Sequence, residues 1–326
     1  MAISWRRSGA LVAAFAAGLA AGLLAARPGR PNGPAPRMVE DRGAGIRFTN
    51  PLLDCESAAG AGFSELRPFQ SRILAVIAQE KALGHISAAA VYFRDLNNGP
   101  WFGIDEEMRF SPASLLKVPL MMSYFRWAQG DPAVLSKPLC FERPRGGMTP
   151  ELPSPRQLQL GRCYPVSELI ERMIVDSDNQ AAELLFRNLG RRRFEDDYRD
   201  LGIEAPSSAD FEISVKAYAS FFRILFNASY LSRDMSERAL ELLSRIEFKS
   251  GLRAGLPPDI PLAHKFGERE VDGARQLHDC GIVYYPRHPY LLCVMSRGER
   301  LIEMDDVMAK VSRATYEEAR RQYLRR

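Results

Sequence analysis

Histidine is scarce in this chain. The four present, His85, His264, His278 and His288, are scattered without ligand spacing. A zinc or non-haem iron enzyme therefore has no evident ligand set, and no metal or cofactor is expected. Lysine is nearly as thin, seven residues against 37 arginines. No basic run is interleaved with aromatics, and 44 basic residues stand against 40 acidic ones for a net charge of +4. Nothing there argues for nucleic acid. Internal repeats and coiled-coil heptads are also lacking. What is present, 326 residues at 46% hydrophobic, suffices for one large domain or two intimately joined ones.

The most membrane-like stretch is the uncharged run from Ser8 to Ala26, preceded by Arg6 and Arg7. It is a little short of the hydrocarbon thickness, so it serves either as an export signal or as an anchor. The arginines before it favour placing the rest of the chain across the membrane from the cytoplasm. No Ala-x-Ala cleavage site follows and no cysteine lies near it, which favours an uncleaved signal anchor over a lipoprotein. The expected organisation is residues 1–27 as signal or anchor, 28–64 as a Pro-, Gly- and Arg-rich linker, and 65–326 as the folded domain, acting as a monomer. Five cysteines in an exported chain permit disulfides and leave one thiol over. Cys140 and Cys163 bracket a Pro/Gly-rich stretch and suit a bridge. Cys280 and Cys293 fall on neighbouring predicted strands, where a bridge and a pair of small buried hydrophobes are equally good readings.

Periodicity predicts a first helix over Leu66 to Ala82, then a hairpin of Ser87 to Arg94 and Trp101 to Ile104 around Asn97-Asn98-Gly99. A helix follows over Ala113 to Trp127. From Pro132 to Ile246 the pattern is helical, with helices at Val166 to Val175, Ala181 to Leu189, Val215 to Leu225 and Glu237 to Ile246. Strands return at Leu262 to Phe266, Gln276 to Tyr285 and Tyr290 to Ser296, and a last helix carries Met304, Val307, Met308, Val311 and Ala314. A strand run split by a helical insertion implies an α+β fold: an antiparallel sheet flanked by helices, with a helical subdomain at about 130–250 and a cleft between the two.

Three polar groups stand out against this background. Ser114 and Lys117 are three residues apart at the start of an apolar helix, on one face, the only Ser-x-x-Lys in the chain. A lysine buried there loses its proton easily and becomes a general base beside a hydroxyl nucleophile. Ser177-Asp178-Asn179 lies between two predicted helices; Asp178 is suited to cap the second while Ser177 and Asn179 point outward. Lys265-Phe266-Gly267 ends a predicted strand and offers a cation beside a glycine that admits close approach. Lys249-Ser250-Gly251 competes with it, but Lys249 is expected to end a helix with Gly251 as its C-cap.

Taken in this order, Ser114-x-x-Lys117, Ser177-Asp178-Asn179 and Lys265-x-Gly267 resemble the motifs of class A serine β-lactamases and penicillin-binding proteins. Arg253-Ala254-Gly255-Leu256-Pro257 looks like that family's segment ahead of its Lys-x-Gly strand, and the resemblance covers roughly residues 66–322. It implies a five-stranded antiparallel sheet and a two-step acyl transfer on a β-lactam or peptidoglycan-type acyl amide. Ser114 would attack the carbonyl with Lys117 as base, and Ser177 would protonate the departing nitrogen. Asn179 would hold Lys117 and the substrate amide, while Lys265 would attract a substrate carboxylate. The oxyanion would rest on the backbone N–H groups of Ser114 and Glu268, next to Gly267.

Two departures from the family's pattern bear on activity. The segment Gly202 to Ser214 is short and has no Glu-x-x-Asn; Glu212 is the best-placed acid for activating a deacylating water. Phe266 stands where the family has a hydroxyl residue, so one hydrogen bond to a substrate carboxylate is lost. The expectation is therefore a β-lactamase-like hydrolase with slow or atypical deacylation. The alternatives are a cell-wall D,D-peptidase or an inactive binding module.

Overall fold

The computed structural model describes residues 47–50, 64–97, 99–142, 156–208 and 210–323. The apolar segment at Ser8 to Ala26 and Cys55 lie outside the described residues, and among those described no helix is long and apolar enough to cross a membrane.

The chain begins with α1 (Arg67–Ala82), whose Phe69, Ile73 and Ile77 recur at intervals of four and face inward. The hairpin follows as β1 (Ala88–Asp95) and β2 (Trp101–Ile104), then a two-residue β3 (Arg109–Phe110). Ser114 lies in a 3₁₀ turn, Ala113–Leu116, that runs directly into α2 (Lys117–Gly130). The expected single helix from Ala113 thus starts as a tighter turn, with Ala113 itself at φ +50°. A second 3₁₀ turn (Pro132–Ser136) leads to β4 (Pro138–Cys140) and β5 (Cys163–Pro165).

The helical insertion comprises α3 (Val166–Val175), α4 (Asn179–Leu189), α5 (Arg191–Asp200), a short β6 (Ile213–Ser214), α6 (Val215–Phe226), α7 (Arg233–Ser244) and the one-turn α8 (Gly251–Ala254). Then come β7 (Leu262–Val271), β8 (Ala274–Val283), β9 (Tyr290–Gly298) and α9 (Leu301–Tyr323). The main sheet has the order β2-β1-β9-β8-β7, antiparallel throughout, so distant parts of the chain complete one sheet, as expected.

One face of this sheet packs on α1 and α9 through Val91, Phe93, Val294, Met304 and Val311. The other packs on the helical block, where Ala90, Cys293 and Met295 meet Leu115, Val118 and Phe222. Burial on both faces explains why the strands read as nearly continuous apolar runs. Both bridges are present: Cys140–Cys163 joins β4 to β5, and Cys280–Cys293 joins β8 to β9 at directly opposed positions.

Two expectations need correction. Lys249 does not end a helix, since α7 stops at Ser244, and Gly251 opens α8 instead of capping α7. Its φ of +55° and a hypothetical Cβ only 2.7 Å from Asp279 Oδ2 show why glycine is required there. The strand at Leu262 also continues to Val271, placing Lys265 and Gly267 mid-strand on the sheet edge. The alternation Glu268-Arg269-Glu270 conceals that extension because its side chains are largely solvated.

Candidate active site

The cleft is assembled from three elements. Ser114 belongs to the turn before α2, Ser177 and Asn179 to the junction of α3 and α4, and Lys265 to the edge strand β7. Two non-glycine residues of these elements have left-handed backbones, Ala113 (φ +50°) in the turn before α2 and Ser177 (φ +54°) between α3 and α4. Such conformations persist where surrounding contacts impose them.

At Ser177 the imposing contact is the next residue. Asp178 is buried and caps α4, accepting from the N–H groups of Gln180 at 2.8 Å and Ala181 at 3.1 Å. That leaves Ser177 and Asn179 free to turn into the cleft, the division of labour expected for this tripeptide. At Ala113, the residue before Ser114, the sheet does the imposing. Ser111, two residues upstream of Ala113, donates its N–H to Gln276 Oε1 at 3.0 Å, its carbonyl lies 2.9 Å from His278 Nε2, and Arg269 donates to its hydroxyl at 3.1 Å.

Lys117 is the hub. Its Nζ lies 3.0 Å from Ser114 Oγ, 2.6 Å from the Ser177 carbonyl, 3.1 Å from Ser177 Oγ and 2.6 Å from Asn179 Oδ1. Burial pushes its pKa down to about 7, against the opposing pull of the Asp178 charge. The Ser177 carbonyl and Asn179 Oδ1 can only accept, so they take the two N–H bonds of a neutral amine. Its lone pair is then available to the hydroxyls. Lys265 Nζ donates to Ser177 Oγ from the other side at 3.0 Å. Its own pKa is held well below the usual lysine range by burial, reinforced by the neighbouring Lys117.

Gly267 is required for a close approach. A Cβ on it would lie 3.1 Å from the Ser114 nitrogen, 3.2 Å from that of Leu115 and 3.2 Å from the Pro112 carbonyl. Glu268, next on the strand, is half-buried and sends its field to Lys265. The structure thus brings Ser114, Lys117, Ser177, Asn179, Lys265 and Gly267 together. Glu212 is placed differently: its carboxylate takes Arg297 at 3.3 Å and its carbonyl takes Arg109. No hydrogen bond joins it to Ser114, Lys117 or Ser177 among the described residues.

Some participants gave no sequence signal. Gln276, His278 and Arg269 became visible only through the register of β7 and β8, which sets them beside the Ser114 turn. Phe248 lies in the connection before α8, where no periodicity marks it, and stacks on Phe266 at 4.0 Å.

A sheet of this order with a serine, two lysines and an Asx turn in the cleft defines the class A serine β-lactamase and penicillin-binding protein superfamily. The family model described as "Beta-lactamase enzyme family" matches residues 68–319. The chain belongs to that family. A PBP-A variant solved as an acyl-enzyme complex with penicillin G superposes with TM-score 0.67 at 20% identity, over 78% of this chain and 98% of that one. A β-lactamase from Chitinophaga pinensis gives 0.68 at 20% identity over 77% and 99%. One from Xanthomonas campestris pv. campestris gives 0.66 at 20% over 77% and 98%. These likenesses show the fold. A search of curated protein sequences gave no match.

Proposed function

We propose that this protein is an exported serine acyl-transfer enzyme that opens a β-lactam or related acyl amide on Ser114 and releases the acyl group slowly. The observation that carries this reading is Lys117 Nζ, in hydrogen-bond reach of both Ser114 Oγ and Ser177 Oγ. The proton then has a complete path. Lys117 removes it from Ser114 as Oγ bonds to the carbonyl carbon. As the C–N bond breaks, Ser177 gives its own proton to the nitrogen and regains one from Lys117. Lys265 beside Ser177 supports that transfer electrostatically, and Asn179 fixes the amine. The N–H groups of Ser114 and Glu268 receive the oxyanion. Export rests on Arg6, Arg7 and the apolar run that follows.

Slow release is supported by Glu212, the acid best placed in sequence to activate a water, whose carboxylate is paired with Arg297. The same observation favours the second reading, a D,D-peptidase that passes its acyl group to another acceptor.

A chromogenic cephalosporin mixed with the wild-type protein and with Ser114→Ala separates the cases. A burst of product equal to the enzyme concentration, followed by slow turnover and absent in the variant, supports the hydrolase. A burst with no turnover supports the peptidase. No burst in the wild type would contradict acylation by this substrate and leave a binding role.

A further inference from the structure

Lys265 is closed off from a substrate. Its Nζ donates to Ser177 Oγ at 3.0 Å and to the Phe266 carbonyl at 2.9 Å, and it sits over the Phe266 ring, 4.1 Å from the centroid. Its polar contacts are thereby taken within the protein, and none of the residue's surface is exposed. Opposite Phe266 on β8 stands Asp279, also fully buried. It accepts from the Leu252 N–H at 3.0 Å and pairs with His264 at 2.8 Å. A carboxylate arriving at this edge would find a shielded amine and, across the ladder, a second carboxylate. Arg269, further along the strand, is turned to Ser111.

What this edge offers is aromatic surface. The rings of Phe248 and Phe266 lie 4.0 Å apart at 13°, and both residues are partly exposed. Phe266 sits between Lys265, which touches Ser177, and Gly267, which abuts the Ser114 backbone. We infer that Phe248 and Phe266 form a specificity platform selecting an uncharged aromatic or otherwise apolar substituent on the leaving-group side, in place of a carboxylate. The inference rests on the acyl-transfer reading for one point, that the leaving nitrogen lies beside Ser177. Apolar burial against the pair then holds the substituent while the nitrogen reaches that hydroxyl.

The probes are benzylpenicillin and its benzyl ester. Acylation rates are read by intact mass on wild type, Phe248→Ala and Phe266→Thr. Binding is read by calorimetry on Ser114→Ala alone and combined with Phe248→Ala. The ester is expected to acylate the wild type, and to bind Ser114→Ala, at least about tenfold better than the acid. That ratio should fall towards one in either phenylalanine variant. An acid preference, a ratio near one in the parent protein, or a ratio unmoved by both variants would overturn the platform. So would an acid preference that disappears in Lys249→Ala or Arg269→Ala. If neither probe forms an adduct, the acyl-transfer reading falls, and the binding ratio in Ser114→Ala still decides the platform. Tighter binding of the ester supports it; equal, weaker or absent binding overturns it.

Discussion

Lys117 has to be neutral to accept the Ser114 proton, and its surroundings are arranged for that state. Two acceptor-only oxygens at 2.6 Å take its N–H bonds, and burial brings its pKa down to about 7. The sign follows directly: the amine is a base only above its pKa, so the acylation rate should rise as pH increases through about 7 and then level off. A pH profile of adduct formation checks this, and a rate that falls over the same interval would contradict it. Replacing the amine in Lys117→Ala should slow acylation by roughly 10² to 10⁴-fold, the usual contribution of a positioned base. His278 titrates in the same sense, with its effect on stability. Burial pushes its pKa down to about 4 while the Ser111 carbonyl and the backbone at Leu277 pull it upward. Its folded value lies below the unfolded one, so the stability it contributes is fully present above about 6.5 and is lost as pH falls through about 4. Urea unfolding at pH 7, 5.5 and 4.5 should show that loss, with a shallower slope in His278→Gln.

Between elements, the distance from β7 to the turn before α2 governs the placement of Ser114, the proposed nucleophile. Gly267 sits against three backbone atoms, and those cannot swing aside as a flexible side chain can. Gly267→Ala should therefore shift β7 by a few tenths of an ångström and slow acylation roughly tenfold or more, with only a small change in thermal midpoint. An unchanged rate would show that the turn tolerates the displacement. The motifs at Ser114, Ser177 and Lys265 were legible because each couples chemistry to a helix start, a capping turn or a strand within a few residues. The helix α5 was not: eight of the ten residues in Arg191–Asp200 are charged, and only Phe194, Asp197 and Tyr198 turn inward. The short strands β3 and β6 escaped for another reason. Arg109–Phe110 and Ile213–Ser214 are two residues each and exist through pairing with one another across the intervening helices and strands, which no local pattern encodes.

At the scale of the whole molecule, two bridges tie the architecture at different depths. Cys140 and Cys163 are exposed and close a loop with a sequence separation of 23, whereas Cys280 and Cys293 are buried within the sheet. Mild reductant should open Cys140–Cys163 first, as read by alkylation and peptide mapping. The double variant Cys140→Ser, Cys163→Ser should lose about 3 kcal/mol of unfolding free energy in a urea titration. The split sheet order and the core on both its faces could be anticipated because apolar runs at both ends of the chain must find one another to be covered. The Phe248–Phe266 stack could not, because it depends on how the segment between α7 and β7 folds back over the strand. The most direct test of the chemistry is intact mass, followed by peptide mapping, of the protein from about residue 40 onward after reaction with benzylpenicillin or its benzyl ester. A single covalent addition located on Ser114, persisting for minutes and absent in Ser114→Ala, is the expected result; an addition on another residue, or one retained by Ser114→Ala, would contradict the assignment of the nucleophile.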